Sequence, residues 1–175
     1  MTTIIDGTVG VTFPDTSVQA ASATNASNIS SGTLGKARLP TGSVLQVVNT
    51  TTTGQTSTTG STYITTGLTA SITPTSSTSK ILVIVTTSVR FTSTSWMGLL
   101  LYRGGSSVAS LSAGLGYNMG STGTQQFTAN YLDSPATTSS TTYTLYFSNQ
   151  NSPTGTVTVQ QDSQVATITL LEISA

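Results

Sequence analysis

From Ser43 onward, large apolar side chains recur at every second position. Val44, Leu45, Val47 and Val48 open a first strand, and Leu68, Ala70 and Ile72 alternate in another that Pro74 stops, since proline cannot donate to a ladder. Lys80–Phe91 is apolar on both faces through Ile81–Val85, the texture of a strand covered on two sides, and Trp96–Tyr102 repeats it. Those two strands are expected at sheet centres. Arg103-Gly-Gly-Ser-Ser predicts a tight hairpin into Val108–Leu111, because paired glycines supply the positive φ such turns need. Further strands are expected over Gln125–Leu132, Thr142–Ser148 with Tyr143, Leu145 and Phe147 on one face, Thr156–Gln160 and Gln164–Ile173. Roughly nine short strands separated by Gly, Pro, Ser and Asn describe an antiparallel, jelly-roll-like β-sandwich over residues 43–175.

Residues 1–42 read differently. They hold few large apolar side chains, and Ala20–Ile29 is almost all small, so an isolated arm of this kind buries too little surface to offset its ordering entropy. Val9, Val11 and Phe13 alternate as in a short strand, Pro14 and Asp15 then suit a type I turn, and Ser17–Gln19 with Val18 is the next strand candidate. The small residues over Ala20–Ser27 allow either a short helix or close approach of several chains along an axis. The fold expected is therefore all-β, an extended N-terminal arm (1–42) followed by a sandwich knob (43–175).

Composition narrows the function. Among 175 residues only five are basic and five acidic, and about two in five are Ser or Thr. No Lys/Arg cluster exists beyond Lys36 and Arg38, which removes the electrostatic footprint that binding to nucleic acid needs. The chain has no His and no Cys, which rules out a Ser-His-Asp triad, a Cys nucleophile, a His/Cys zinc site and a disulfide framework. Abundant Thr, Val and Ile with six Tyr and four Phe argue against disorder. The longest apolar run, Ile81–Val85, is far below the roughly 18 residues of a membrane helix, so no membrane insertion is expected. The first residues lack a basic, apolar leader, so assembly in a cytoplasm is expected.

Gly10-Val-Thr-Phe-Pro-Asp-Thr-Ser-Val-Gln19, Asn28-Ile-Ser-Ser-Gly-Thr-Leu34 and Ala37-Arg-Leu-Pro40 together resemble bacteriophage tail-fibre and other virion structural proteins. In such proteins similar segments stand ahead of a β-rich knob, to which Ser43–Val48, Leu68–Pro74, Ser79–Val83 and Ile168–Ile173 are also similar. The resemblance implies a non-enzymatic homotrimer within a virion, assembled in the host bacterial cytoplasm. Its arm would anchor to a tail baseplate, an adaptor or the major capsid protein through Val11, Phe13, Pro14, Asp15, Val18, Leu34, Lys36 and Arg38. Its knob would contact the host surface. The alternative is a capsid decoration (cement) or head-fibre protein that stabilises the shell.

The candidate chemistry is sparse. A glycan-cleaving site needs two carboxylates about 5–10 Å apart, and only Asp133 and Asp162 fall in expected loops. Asp133, just before Ser134-Pro135, reads as a turn residue bonding its own backbone. Neither a cofactor nor a metal is expected. Gly114-Leu-Gly-Tyr-Asn-Met-Gly120 is one residue too long for a dinucleotide fingerprint and reads as a loop. Its Tyr117 and Asn118, with Trp96, are the candidates for stacking on and hydrogen-bonding to a host surface glycan. Tyr102 and Tyr131 are expected to fill the core with a hydroxyl at its rim.

Overall fold

The structure is a computed structural model that describes residues 3–6, 10–13, 18–19, 38–92, 94–117 and 122–175. Its chain divides into two units, Met1–Leu39 and Pro40–Ala175. In the first unit β1 (Ile4–Asp6), β2 (Gly10–Thr12) and β3 (Val18–Gln19) form a three-stranded antiparallel sheet in that order, with Thr12 paired to both Ile4 and Val18. Alternation around Val11 marks β2 in the sequence, whereas β1 is only three residues long and shows no period. The expected turn at Pro14–Asp15 and the segment Ala20–Ser27 lie outside the described residues.

The second unit is a two-sheet sandwich of β4 (Val44–Thr52), β5 (Thr56–Thr58), β6 (Ile64–Ile72), β7 (Lys80–Phe91), β8 (Met97–Arg103), β9 (Ser106–Leu115), β10 (Gly123–Asp133), β11 (Thr141–Asn149), β12 (Val157–Val159) and β13 (Ala166–Ile173). One sheet runs β4-β13-β7-β10, with the short pair β12-β5 continuing along the last residues of β7; the other runs β6-β11-β8-β9. All pairings are antiparallel. Setting β5 and β12 aside, the eight remaining strands pair first with last, second with seventh, third with sixth and fourth with fifth. That is one long antiparallel hairpin folded over on itself, the double Greek key of a jelly roll. Like β1, β5 is not expected from the sequence; its Thr-Ser-Thr has no apolar residue to mark it.

The inward side chains alternate as the pattern requires. Leu68 and Ile72 of β6, Met97, Leu99 and Leu101 of β8, and Tyr143, Leu145 and Phe147 of β11 meet Ile81, Val83 and Val85 of β7 and Ile168 and Leu170 of β13, all of them buried. Between the two sheets they fill a layer of about 10 Å. Two expectations are corrected by this alternation. With Leu101 pointing in, Tyr102 must point out, and it stacks on Tyr146 with ring centroids 4.1 Å apart on the outer face; Tyr131 does lie against the core. Second, β7 is central but covered on one side: Ile81, Val83 and Val85 are buried, while Leu82 and Ile84 on its other face are only half-buried.

A sandwich is open at both ends of its core, and polar side chains close them here. At the end where the chain comes in, Gly42 N donates to Ser174 O at 2.9 Å and Ser174 N to Ser43 O at 2.9 Å. Beneath this closure Asp133, at the end of β10, does not make the expected turn. Its carboxylate crosses to the other sheet and accepts from Arg103 Nη1 at 2.7 and 2.9 Å and from Tyr143 Oη at 2.6 Å. The extra reach of β10 to residue 133 turns the side chain inward, opposite Ile81. Burial, then the bond to Asp133, pushes the Tyr143 phenol above its ordinary value. Glu172, fully buried on β13, accepts from Gln46 Nε2 at 2.6 Å and from the backbone N and Oγ1 of Thr75, both at 2.7 Å. Burial disfavours its charge, but the Ser79 hydroxyl together with the Thr75 and Gln46 donors outweighs it and holds the carboxyl below its ordinary value.

Removing Asp133 leaves the buried Tyr143 phenol without its acceptor, while Arg103, whose side chain is 33% exposed, keeps access to water. Asp133→Ala is expected to lower the unfolding free energy by about 1–3 kcal/mol in urea titrations, and Tyr143→Phe by about 1 kcal/mol. Because the folded-state pKa of Glu172 lies below its unfolded value, its contribution is present above the unfolded pKa and lost as pH falls through the folded one. Urea midpoints followed from about pH 7 down to about pH 2 should therefore fall steeply at the acidic end in the native chain, and less steeply in Glu172→Gln.

Candidate functional site

The loops at the opposite end of the sandwich, farthest along the strands from Gly42 and Ser174, join β5 to β6, β7 to β8, β9 to β10 and β11 to β12. The buried amide of Asn149, the last residue of β11, ties two of these loops together, the one after β5 and the one after β11. Its Nδ2 faces the carbonyls of Thr154 at 2.9 Å, Gly155 at 3.2 Å and Thr59 at 3.3 Å, and its Oδ1 accepts from Asn151 N at 3.0 Å. A third loop, between β7 and β8, is bound by Ser95 Oγ, which donates to Thr92 O and Thr156 O at 2.8 and 3.1 Å. Such loops are held by buried polar bonds in place of apolar contacts.

On this base stand Trp96 and Tyr117. Their rings meet edge to face, with centroids 4.9 Å apart and planes at 78°, a favoured aromatic geometry. Tyr117 is 60% exposed and Trp96 half-buried. Gly116 makes the contact possible. Its φ of +88° suits glycine, and a Cβ there would lie 2.8 Å from the Phe91 ring, so the turn carrying Tyr117 rests directly on that ring. Gln150 extends the surface: its N donates to Trp96 O at 2.9 Å and its Nε2 to Tyr63 Oη at 3.1 Å and Ser148 Oγ at 2.6 Å. Asn151 Nδ2 donates to Thr94 O at 3.0 Å. Two aromatic walls at a corner, flanked by amides and a phenol on loops whose sequences hold no charged residue, can stack on and hydrogen-bond to a neutral, hydroxyl-rich ligand.

The structure brings Trp96 and Tyr117 together; Asn118 lies outside the described residues. Tyr63 and Gln150 were not expected here. The signal for them was faint, a Tyr after Gly60-Ser-Thr and an amide run Asn149-Gln-Asn151 closing a strand. Of the residues expected to anchor the arm, Val11 stands in β2 and Val18 in β3, while Phe13 and Arg38 are exposed. Pro14, Asp15, Leu34 and Lys36 lie outside the described residues. Among the described residues no group of three or more acidic side chains is placed to hold a metal ion, and no helix is long and apolar enough to cross a membrane.

No protein-family model matches the chain, and no curated protein matches it. Among solved structures it is similar to the infectious bursal disease virus VP2 subviral particle, with 17% identity, a TM-score of 0.42 and coverage of 76% of this chain and 39% of that one. For T=1 particles derived from infectious bursal virus the figures are 16% identity, a TM-score of 0.40, and 76% and 37% coverage. The match thus spans less than two-fifths of those viral chains.

Gly116→Ala is expected to lift the Tyr117 turn off Phe91 and to destabilise the knob by about 1–3 kcal/mol. Trp96 is the chain's single tryptophan, so the same change should shift its fluorescence emission toward that of an exposed indole. Emission identical to the native chain would mean that Gly116 does not set this contact.

Proposed function

We propose that the chain is a non-enzymatic structural component of a bacteriophage virion. It is a homotrimeric fibre whose arm, residues 1–42, anchors to other virion proteins, and whose knob, residues 43–175, contacts a host surface glycan through Trp96 and Tyr117. The observation that carries this reading is the exposed, loop-tied aromatic corner at the end of the sandwich opposite the point where residues 1–39 join it. A fibre that is held at one end and recognises at the other needs that polarity. The fibre-like motifs around Phe13–Gln19 and Asn28–Leu34 support the attachment end. The carboxylate of Asp133, one of the two in expected loops, is taken up by structural bonds, which supports binding over hydrolysis.

Recognition by stacking and neutral hydrogen bonds is weak per site and gains strength from repeated copies. Trp96→Ala and Tyr117→Ala are each expected to reduce adsorption of whole particles to host cells by about tenfold or more, since loss of about 1.4 kcal/mol per site is multiplied over copies. Both variants should keep the native oligomeric mass in light scattering. Adsorption of the native particle should change little between low and physiological salt, because the four loops at this end contain no Lys, Arg, Asp or Glu. Normal adsorption by both variants, with no binding of purified protein to host envelope material, would replace receptor binding by the capsid-decoration role.

A further inference from the structure

We infer that the outer face of the β4-β13-β7-β10 sheet is the surface by which one copy of the knob meets the next. Register places Val47 beside Leu171, Leu171 beside Leu82 and Leu82 beside Leu132, a row of four aliphatic side chains running straight across four strands on the side away from the core. Val47 and Leu132, its two ends, are 57% and 50% exposed, and Leu82 and Leu171 between them are half-buried. Ile84 continues the apolar surface in the next row. The outer face of the other sheet is mixed: the hydroxyls of Thr65, Thr69 and Ser71 on β6 share it with Leu100, Tyr102 and Tyr146 on β8 and β11. A row of four aliphatic side chains that crosses four strands and is at least half exposed at both ends is a surface suited to burial.

The occupant is another copy of this chain. The row and the two rows beyond it, through Ile84 and Thr86, contain only aliphatic, Thr and Asn side chains, so copies that meet there bring no like charges together; Lys80, paired with Ile173, stands at the rim nearest Pro40. The row also lies beside Val44 and Ile173, at the end where residues 1–39 join the knob. Copies tethered through their arms would have this row close to the tether. The number of copies rests on the homotrimer proposed above. Strands about 4.8 Å apart make the row about 14 Å wide. Three such walls around a threefold axis leave its centre about 4 Å from each, close to half of the ~10 Å that facing sheets need for their side chains. In a ring of this kind the contact is heterologous, so the Val47 end of one copy meets the Leu132 end of the next.

The native chain has no cysteine, which makes a disulfide test clean. Full-length Val47→Cys/Leu132→Cys, oxidised mildly, is expected to give covalent dimer and trimer on a denaturing gel, and each single variant only monomer. Full-length Leu82→Asp, whose substituted side chain points away from the core, should raise the concentration at which the oligomer dissociates by about tenfold or more. A trimer by light scattering with no cross-linking in the double variant and unchanged dissociation in Leu82→Asp would overturn this face and leave the trimer standing. Cross-linking by a single variant would overturn the heterologous pairing. A native chain that is monomeric at micromolar concentration would overturn both the face and the trimer.

Discussion

A two-sheet core has two open ends, and in this chain the groups that close them determine almost everything else. Asp133 and Glu172 close one end, and Asn149 closes the other. Each is a buried polar side chain with at least one partner distant in sequence, Arg103 for Asp133, Gln46 and Thr75 for Glu172 and Thr59 for Asn149, so each fixes chain segments that the hydrophobic layer cannot reach. Apolar burial orients the strands and says nothing about where a Thr-rich loop should lie. The buried amide and carboxylates supply that information, because leaving any of them without partners is more costly than ordering the loop.

With the ends fixed, the sheets' outer faces can be built from hydroxyls. Thr69 Oγ1 lies 2.9 Å from Thr144 Oγ1, Ser71 Oγ 2.7 Å from Thr142 Oγ1, and Thr86 Oγ1 3.1 Å from Thr128 Oγ1, each pair facing across neighbouring strands. Cross-strand pairs of this kind stabilise a sheet without charge. They account for a protein in which one ion pair is found among the described residues and which needs no network of them.

The strands were legible in the sequence because half-burial writes itself as a period of two. Lys80–Phe91 was delimited to the residue, and Tyr143, Leu145 and Phe147 fell on the buried face as expected. Legibility ended where the period ended. Thr56–Thr58 has no apolar member, and Tyr102 is as compatible with an inward as with an outward position until the register of β8 is known. Asp133 looked like a turn residue because its local context, Ser-Pro, is one; its partners Arg103 and Tyr143 lie 30 and 10 residues away and become visible only in three dimensions. The aromatic corner was half legible. Trp96 and Tyr117 stand out in a chain with few aromatics, whereas the Gly116–Phe91 contact that positions them carries no sequence period.

The closure of β4 against β13 has a mechanical side. β4 is an edge strand, held in its sheet through β13 alone, and residues 1–39 join the knob at its first residues. Tension drawn along β4 from Pro40, with the loops at the far end held fast, runs parallel to the strand and perpendicular to its ladder bonds. The bonds from Val44 to Thr52 then share the load together and do not open one after another, so the knob resists being pulled apart along its long axis far better than being peeled from its side.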